Sequence, residues 1–288
     1  MGRTFFLTLT AMLAFAGNSL LCRAALSSGR IDASSFTTIR VVAGALTLWL
    51  IVGMRSRSRT RVRNGKREPA GNWSSALALF IYAAAFSFAY VSLTAATGAL
   101  LLFGAVQVTM IGFGLRRGER LQVAQTAGLV CALVGLVGLL LPGLAAPPLW
   151  GSVLMLAAGS AWGAYSLRGK GSGDPLRVTA GNFMRAVVFA AALSALTLPW
   201  ASFDGPGVGY AIASGSVTSG IGYVVWYAVL PRLKMTSAAT VQLSVPVIAA
   251  AGGMAFLGEP LTLRLVIASV AILGGIAFVV VTKPTRRT

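Results

Sequence analysis

Side chains able to do chemistry are scarce in this sequence, and they occupy unusual places. Six carboxylates stand against 24 lysines and arginines, and there is no histidine. The commonest general base and metal ligand is therefore missing. Cys22 and Cys131 each sit alone inside an apolar run, without CxxC or metal-ligand spacing, and read as small core residues. No nucleophile stands beside a base, and no two carboxylates are paired. Catalytic residues, a metal site and a cofactor are not expected, and neither is an enzyme. Two residues stand out instead: Arg40 and Arg185, each inside a long apolar stretch. An arginine in such surroundings is expensive without a partner. With so few acids, backbone carbonyls, lipid phosphates or a bound ligand must serve. Structural anchoring or gating is the first reading for both arginines, and direct contact with a ligand the second.

Polar and aromatic residues mark other apolar runs. Tyr82, Phe86 and Tyr90 recur at four-residue spacing, which makes one stripe on a helix. Tyr223 and Tyr227 repeat that spacing with Trp226 beside them, and Trp162 and Tyr165 add a third group. A buried tyrosine hydroxyl needs a partner, so lining a cavity and plain packing both remain open. Trp73, Trp150 and Trp200 fall near the ends of runs and suit an interfacial belt. In "QLSVP", Pro246 cannot donate to the carbonyl of Gln242 four residues back. That carbonyl, the Gln242 side chain and Ser244 predict a polar cluster at mid-membrane depth, suited to an ammonium group. Asn18 and Ser19 form a second polar pair.

The elements that must position these residues are membrane helices. The 288 residues are 56% hydrophobic and 10% charged. A soluble domain carries about a quarter charged residues. Apolar runs of span length recur throughout, and about 20 apolar residues cross a bilayer core as a helix. Ten helices are predicted, over 4–26, 33–54, 73–93, 95–115, 121–141, 149–168, 176–198, 207–229, 235–256 and 261–282. The fold class is an all-α polytopic membrane protein. Most basic residues then fall on one side, in "RSRSRTRVRNGKR", at 116–120, 168–177 and 232–234, and at both termini. Arg23, Arg30 and Arg264 lie near the other side. The positive-inside rule places both termini in the cytoplasm. The net charge of +18 is thus a topology signal with attraction for anionic lipid, not a nucleic-acid footprint.

An internal repeat organises the ten helices. A shift of 140 residues lays "GERL" (118–121) on "GEPL" (258–261), Gly112 on Gly252 and Gly135 on Gly275. Slightly earlier, "TTIRVVAGAL" matches "NFMRAVVFAAAL" separately and sets Arg40 against Arg185. The first unit is 1–145 and the second 146–288. Five crossings end on the opposite side from their start, so the second unit is inverted. Glu119 and Glu259 are each expected to cap the last helix of their unit, at the positive end of its dipole. Small residues Ala124, Gly128, Ala132 and Gly135 predict close helix packing, within the chain or between copies.

Inverted repeats are a transporter signature. With the paired GE motifs, "GLVCALVGLVGLLL", "ASVAILGGIAFVVV" and "SAWGAYSL", the chain resembles the EamA-type exporters of the drug/metabolite transporter superfamily over nearly its whole length. Within it, the likeness is greatest to the YddG-type amino-acid exporters. The resemblance implies a central cavity built by helices 1, 3, 4, 6, 8 and 9, with 5 and 10 peripheral. Expected substrate contacts are Asn18, Tyr82, Phe86, Trp162, Tyr223, Trp226, Gln242 and Ser244. Arg40, Arg185, Pro246, Glu119 and Glu259 have gating or structural roles. The function expected is export of small amphipathic metabolites, amino acids above all, by alternating access in a bacterial inner membrane. Multidrug export, or carriage of nucleotide sugars or phosphorylated metabolites, is the alternative. The partners expected are that small molecule and the bilayer, with no nucleic acid. Monomer and homodimer both remain open. Every acid maps to a loop or helix end, which predicts uniport without obligatory proton coupling.

Overall fold

A computed structural model describes residues 2–57, 71–118, 121–143, 146–169, 174–233 and 241–281. Its helices are α1 (Gly2–Ser27), α2 (Ala33–Arg57), α3 (Trp73–Tyr90), α4 (Ala95–Arg116) and α5 (Val123–Leu140). There follow α6 (Leu149–Gly169), α7 (Pro175–Thr197), α8 (Gly205–Arg232), α9 (Ser244–Leu257) and α10 (Leu263–Val281). Eight of them are long and apolar enough to cross a membrane. The others are α9, with 14 residues, and α6, whose glycines and serines dilute its apolar content. The protein is an all-α polytopic membrane protein.

Helix starts follow local chemistry. Asn72 accepts from Ser75 N at 2.8 Å, and Asp174 from Leu176 N at 3.1 Å, ahead of Pro175. Each cap satisfies an N–H that would otherwise be orphaned. Two spans depart from the predicted pattern. The third helix ends at Tyr90 rather than 93, because Thr94 caps α4 and the chain must turn before it. The ninth, expected over 235–256, is helical at Val241–Gln242, breaks at Leu243 and resumes as α9 at Ser244; 234–240 lie outside the described residues. Span eight is not a regular α-helix either. Its middle, Ser214–Ile221, is π-helical, between α-helical Gly205–Ala213 and Gly222–Val229.

The packing partners come in exchangeable pairs. α3 packs on α6 and α1 on α8; α4 packs on α6 and α1 on α9; α3 packs on α7 and α2 on α8. Trading helices 1 to 5 for 6 to 10 turns each pair into its mate, and maps α2–α7, α4–α9 and α5–α10 onto themselves. At the α5–α10 crossing a methyl group on Gly128 would come within 2.7 Å of the Gly275 carbonyl. The small-residue stripe of α5 is therefore used inside the chain. Of the eight long apolar helices, α3 and α4 are the most buried, and α7, α5 and α10 the least. Links alternate between two ends. At one, Asp204 N donates to Arg30 O and Asp32 N to Ser202 O, both at 2.8 Å. At the other, Asn72 N donates to Asn182 Oδ1 at 2.9 Å.

Candidate functional site

Five helices and the segment just ahead of α9 border one cavity. It is lined by Phe15 and Asn18 of α1, Tyr82 and Phe86 of α3, and Leu102 and Phe103 of α4. Trp162 of α6, Thr218, Ser219 and Tyr223 of α8, and Gln242 just ahead of α9 complete it. These are helices 1, 3, 4, 6 and 8 with the start of the ninth span, the set the family resemblance implied. Its volume, counted as room for the centres of water molecules, is about 30 Å³. That space has room for one or two waters and not for an amino acid.

Aromatic faces make most of the wall. Trp162 stacks on Tyr223, with centroids 5.3 Å apart and planes at 21°, and on Tyr165 at 5.4 Å and 26°. It meets Tyr82 at 4.9 Å on another side. The stripes of α3 and α8 thus face each other across Trp162. Trp226 is buried beside them with its ring 5.9 Å from Phe15, but it stands behind the lining. Offset and edge-on contacts of this kind add to the burial of the rings themselves.

A buried polar chain supports the wall. Asn18 Oδ1 accepts from Ser214 Oγ at 2.7 Å and Thr218 Oγ1 at 3.1 Å, and its Nδ2 donates to Tyr82 Oη at 3.4 Å. Arg40 Nη2 donates to the same Tyr82 oxygen at 3.1 Å. The Arg40 guanidinium lies 4.8 Å from the Phe86 centroid and 5.3 Å from that of Tyr82. Its residue is only 2% exposed, and its Nη1 has no hydrogen-bond partner. The π-helical turn brings this about. A methyl group on Gly215 would lie 2.2 Å from the Arg40 carbonyl, so α8 touches α2 backbone to backbone there. Single π turns inside α-helices recur at functional sites.

Other expected residues fall elsewhere. Ser244 does not reach the cavity: its Oγ folds back onto the Val241 carbonyl at 2.6 Å. This corrects the expected polar cluster; Gln242 alone of that segment lines the space. Pro246 is buried in the first turn of α9, after a break at Leu243. Arg185 is half-buried near the opposite end of the bundle. It donates to Gly181 O at 2.9 Å and lies 5.9 Å from the Trp73 ring. Glu119 lies outside the described residues.

Glu259 overturns its predicted role. Its Oε2 accepts from Ala95 N at 2.8 Å, so it caps α4 and not α10, whose first turn is served by Thr262 Oγ1. The reason is Gly258, whose left-handed φ of 64° ends α9 and turns the chain back across the bundle. The other oxygen accepts from Arg23 Nε at 2.9 Å. Arg23 Nη1 meanwhile donates to Tyr90 O at 3.1 Å and Val91 O at 3.2 Å. A cation at the carbonyl end of α3 and an anion at the amide end of α4 both match the helix dipoles. This tie joins α1, α3, α4 and the α9–α10 link beyond Tyr90, which packs on cavity-lining Phe86 at 4.7 Å. Arg23 was missed in sequence, as were Phe15, Phe103, Thr218 and Ser219. A Ser/Thr/Gly cluster, "SGSVTSG", was the available signal for the last two.

A bundle of membrane helices round an aromatic and polar cavity defines the class, a polytopic membrane protein. Comparison with known proteins narrows it. The model of the EamA-like transporter family matches residues 149–281. A protein of Pseudomonas aeruginosa, described as uncharacterised, is 55% identical over 284 residues, covering 99% of this chain and 96% of that one. YoaV of Bacillus subtilis, described as an uncharacterised transporter, is 27% identical over 166 residues, 55% of this chain and 57% of its own. A crystal structure matches with a TM-score of 0.65 at 20% identity, over 96% of this chain and 97% of the other. That likeness concerns fold alone. Over residues 149–281 the chain is thus similar to the EamA-like transporter family, and over about half its length to a protein described as a transporter.

Proposed function

We propose that the protein is a secondary exporter of small amphipathic metabolites, amino acids above all, working by alternating access as a uniporter. The observation that carries this is the cavity, walled by Tyr82, Phe86, Trp162 and Tyr223 and edged by Asn18, Thr218 and Gln242. Aromatic walls suit an apolar side chain, and a few convergent polar groups fix its orientation. Asn18, Tyr82, Phe86, Trp162, Tyr223 and Gln242 contact the substrate, while Trp226 and Ser244 support from behind. The working units are 1–145 and 146–288, inverted relative to each other, and the exchangeable helix pairs support that division. The protein lies in a bacterial inner membrane with both termini cytoplasmic. The basic residues at the end that holds both termini support that orientation.

Uniport rests on the absence of a carboxylate among the described residues that line the cavity. A proton-coupled carrier generally keeps a titratable group in the membrane interior. The substrate's own gradient then sets direction. Flux of phenylalanine, threonine and their relatives is measured in proteoliposomes, with and without an imposed pH gradient. Downhill flux independent of the pH gradient is expected. Uphill accumulation abolished by a protonophore overturns uniport, and no flux of any amino acid overturns the substrate class.

A further inference from the structure

Arg40 poses a problem that the fold does not solve. It lies seven residues into α2, about 10 Å along the helix at roughly 1.5 Å per residue, and is 2% exposed. Its nearest partners are a phenol oxygen, two aromatic faces and no carboxylate. Its Nη1 is the only buried side-chain nitrogen or oxygen among the described residues with no hydrogen-bond partner. A buried guanidinium left short of partners costs stability. Arg185, its counterpart in the second half, is half-buried and finds the Gly181 carbonyl. Anchoring a helix therefore does not require what Arg40 endures.

Its position relative to the cavity suggests what the missing partner is. The two rings under the guanidinium, Tyr82 and Phe86, both line the cavity. The cation stands one ring behind the wall. The cavity is too small for an amino acid, so loading must move that wall. Of the two rings, Tyr82 is the one whose hydroxyl Arg40 reaches, and it also accepts from Asn18. Among the described residues the lining holds no acid to neutralise the guanidinium.

We propose that Arg40, together with Tyr82, is the carboxylate-binding pole of the transport site. The substrate class is then a molecule with a carboxylate at one end and an apolar body at the other. This rests on the proposed amino-acid export and adds which end of the substrate faces α2. Loading swings Tyr82 aside, and the carboxylate takes Nη1 and Nη2 as a bidentate partner. The aromatic faces of Trp162 and Tyr223 take the body. An ammonium group, where present, lies toward Gln242 and the ring faces.

Thermal unfolding of the full-length protein in detergent tests this without needing flux. The probes are L-phenylalanine, 3-phenylpropionate, phenethylamine and inorganic phosphate, titrated against wild type, Arg40→Lys and Arg40→Met. Both carboxylates should raise the wild-type midpoint, and phenethylamine and phosphate should not. Apparent affinity for the carboxylates should fall by roughly 10- to 100-fold in Arg40→Met, the range for a lost charged hydrogen bond. Arg40→Lys, which keeps the charge and loses the fork, should fall between, and it carries the test if the methionine variant does not fold. The ligand-free midpoint of Arg40→Met should equal or exceed that of wild type, because an under-partnered charge has gone. Carboxylate shifts that survive in both variants overturn the proposal. So do equal shifts by phenethylamine, shifts by phosphate alone, or no shift by any probe. Arg40-dependent carboxylate binding in a protein that moves no amino acid would leave the pole standing and remove the export reading.

Discussion

The carboxylates of Asp32, Asp174, Asp204 and Glu259 each accept a main-chain N–H near the start of a helix: those of Ser34, Leu176, Gly207 and Ala95. In a chain this poor in acids, the described ones serve as helix caps, which is why none is left for the cavity. Asp32 also receives Ser35 N and Ser202 N. Partial burial pushes its carboxyl upward, but the hydrogen bonds from Ser34, Ser35 and Ser202 outweigh it and hold the group below the ordinary carboxylate value. A lowered folded value means stability present above the unfolded value, near 4, and lost as pH falls through the lower folded one. Asp32→Ala should therefore lower the unfolding midpoint near neutrality, by about 1 kcal/mol for a lost cap. The gap to wild type should shrink below about pH 4. At the cavity, Gln242→Ala should reduce proteoliposome flux severalfold with the unfolding midpoint nearly unchanged, since Gln242 is only half-buried. Equal losses of flux and midpoint would return it to the core. The cap function of the acids was legible in sequence as chemistry, but its target was not. Only the reversal at Gly258 shows that Glu259 reaches α4.

Among the elements, α6 shapes the site by its close approach and α8 by its irregularity. α6 approaches α4 through Gly159, where an added methyl would stand 2.4 Å from the Leu102 carbonyl and 2.6 Å from Ala105 Cβ. Leu102 and Trp162 both line the cavity, so that approach sets its width. Gly159→Ala should push the helices apart and cost about 1–3 kcal/mol as overpacking, read as a lower unfolding midpoint. An unchanged midpoint would mean that α6 shifts freely. Helix number, order and most boundaries were legible, because apolar length and cap residues are local properties. The π turn of α8 was not, because hydrophobic length is blind to one extra residue per turn. Its cause is tertiary: Gly215 and Gly220 let α8 lie against Arg40 and Thr47 of α2. The same blindness hid Thr218 and Ser219 from the candidate site.

Over the whole molecule, the tie between Arg23 and Glu259 closes one end of the bundle, with side chains only 18% and 11% exposed. In an alternating carrier that end must part, and Glu259→Gln should favour the parted state. A cysteine placed at Phe86 should then react faster with a water-soluble maleimide than in the same background with Glu259 intact; equal rates would make the tie merely structural. The unequal surroundings of Arg40 and Arg185 were not legible, since the two look alike in sequence. One last consequence follows from where the six tryptophans lie. Trp49, Trp73, Trp150 and Trp200 are 55% exposed or more, on the outer surface of the bundle, whereas Trp226 is buried and Trp162 faces the cavity. Brominated lipids should extinguish the outer four and leave the inner pair emitting. The molecule therefore carries its own optical gauge: the residual fluorescence should change as the wall opens to a ligand, with no label attached.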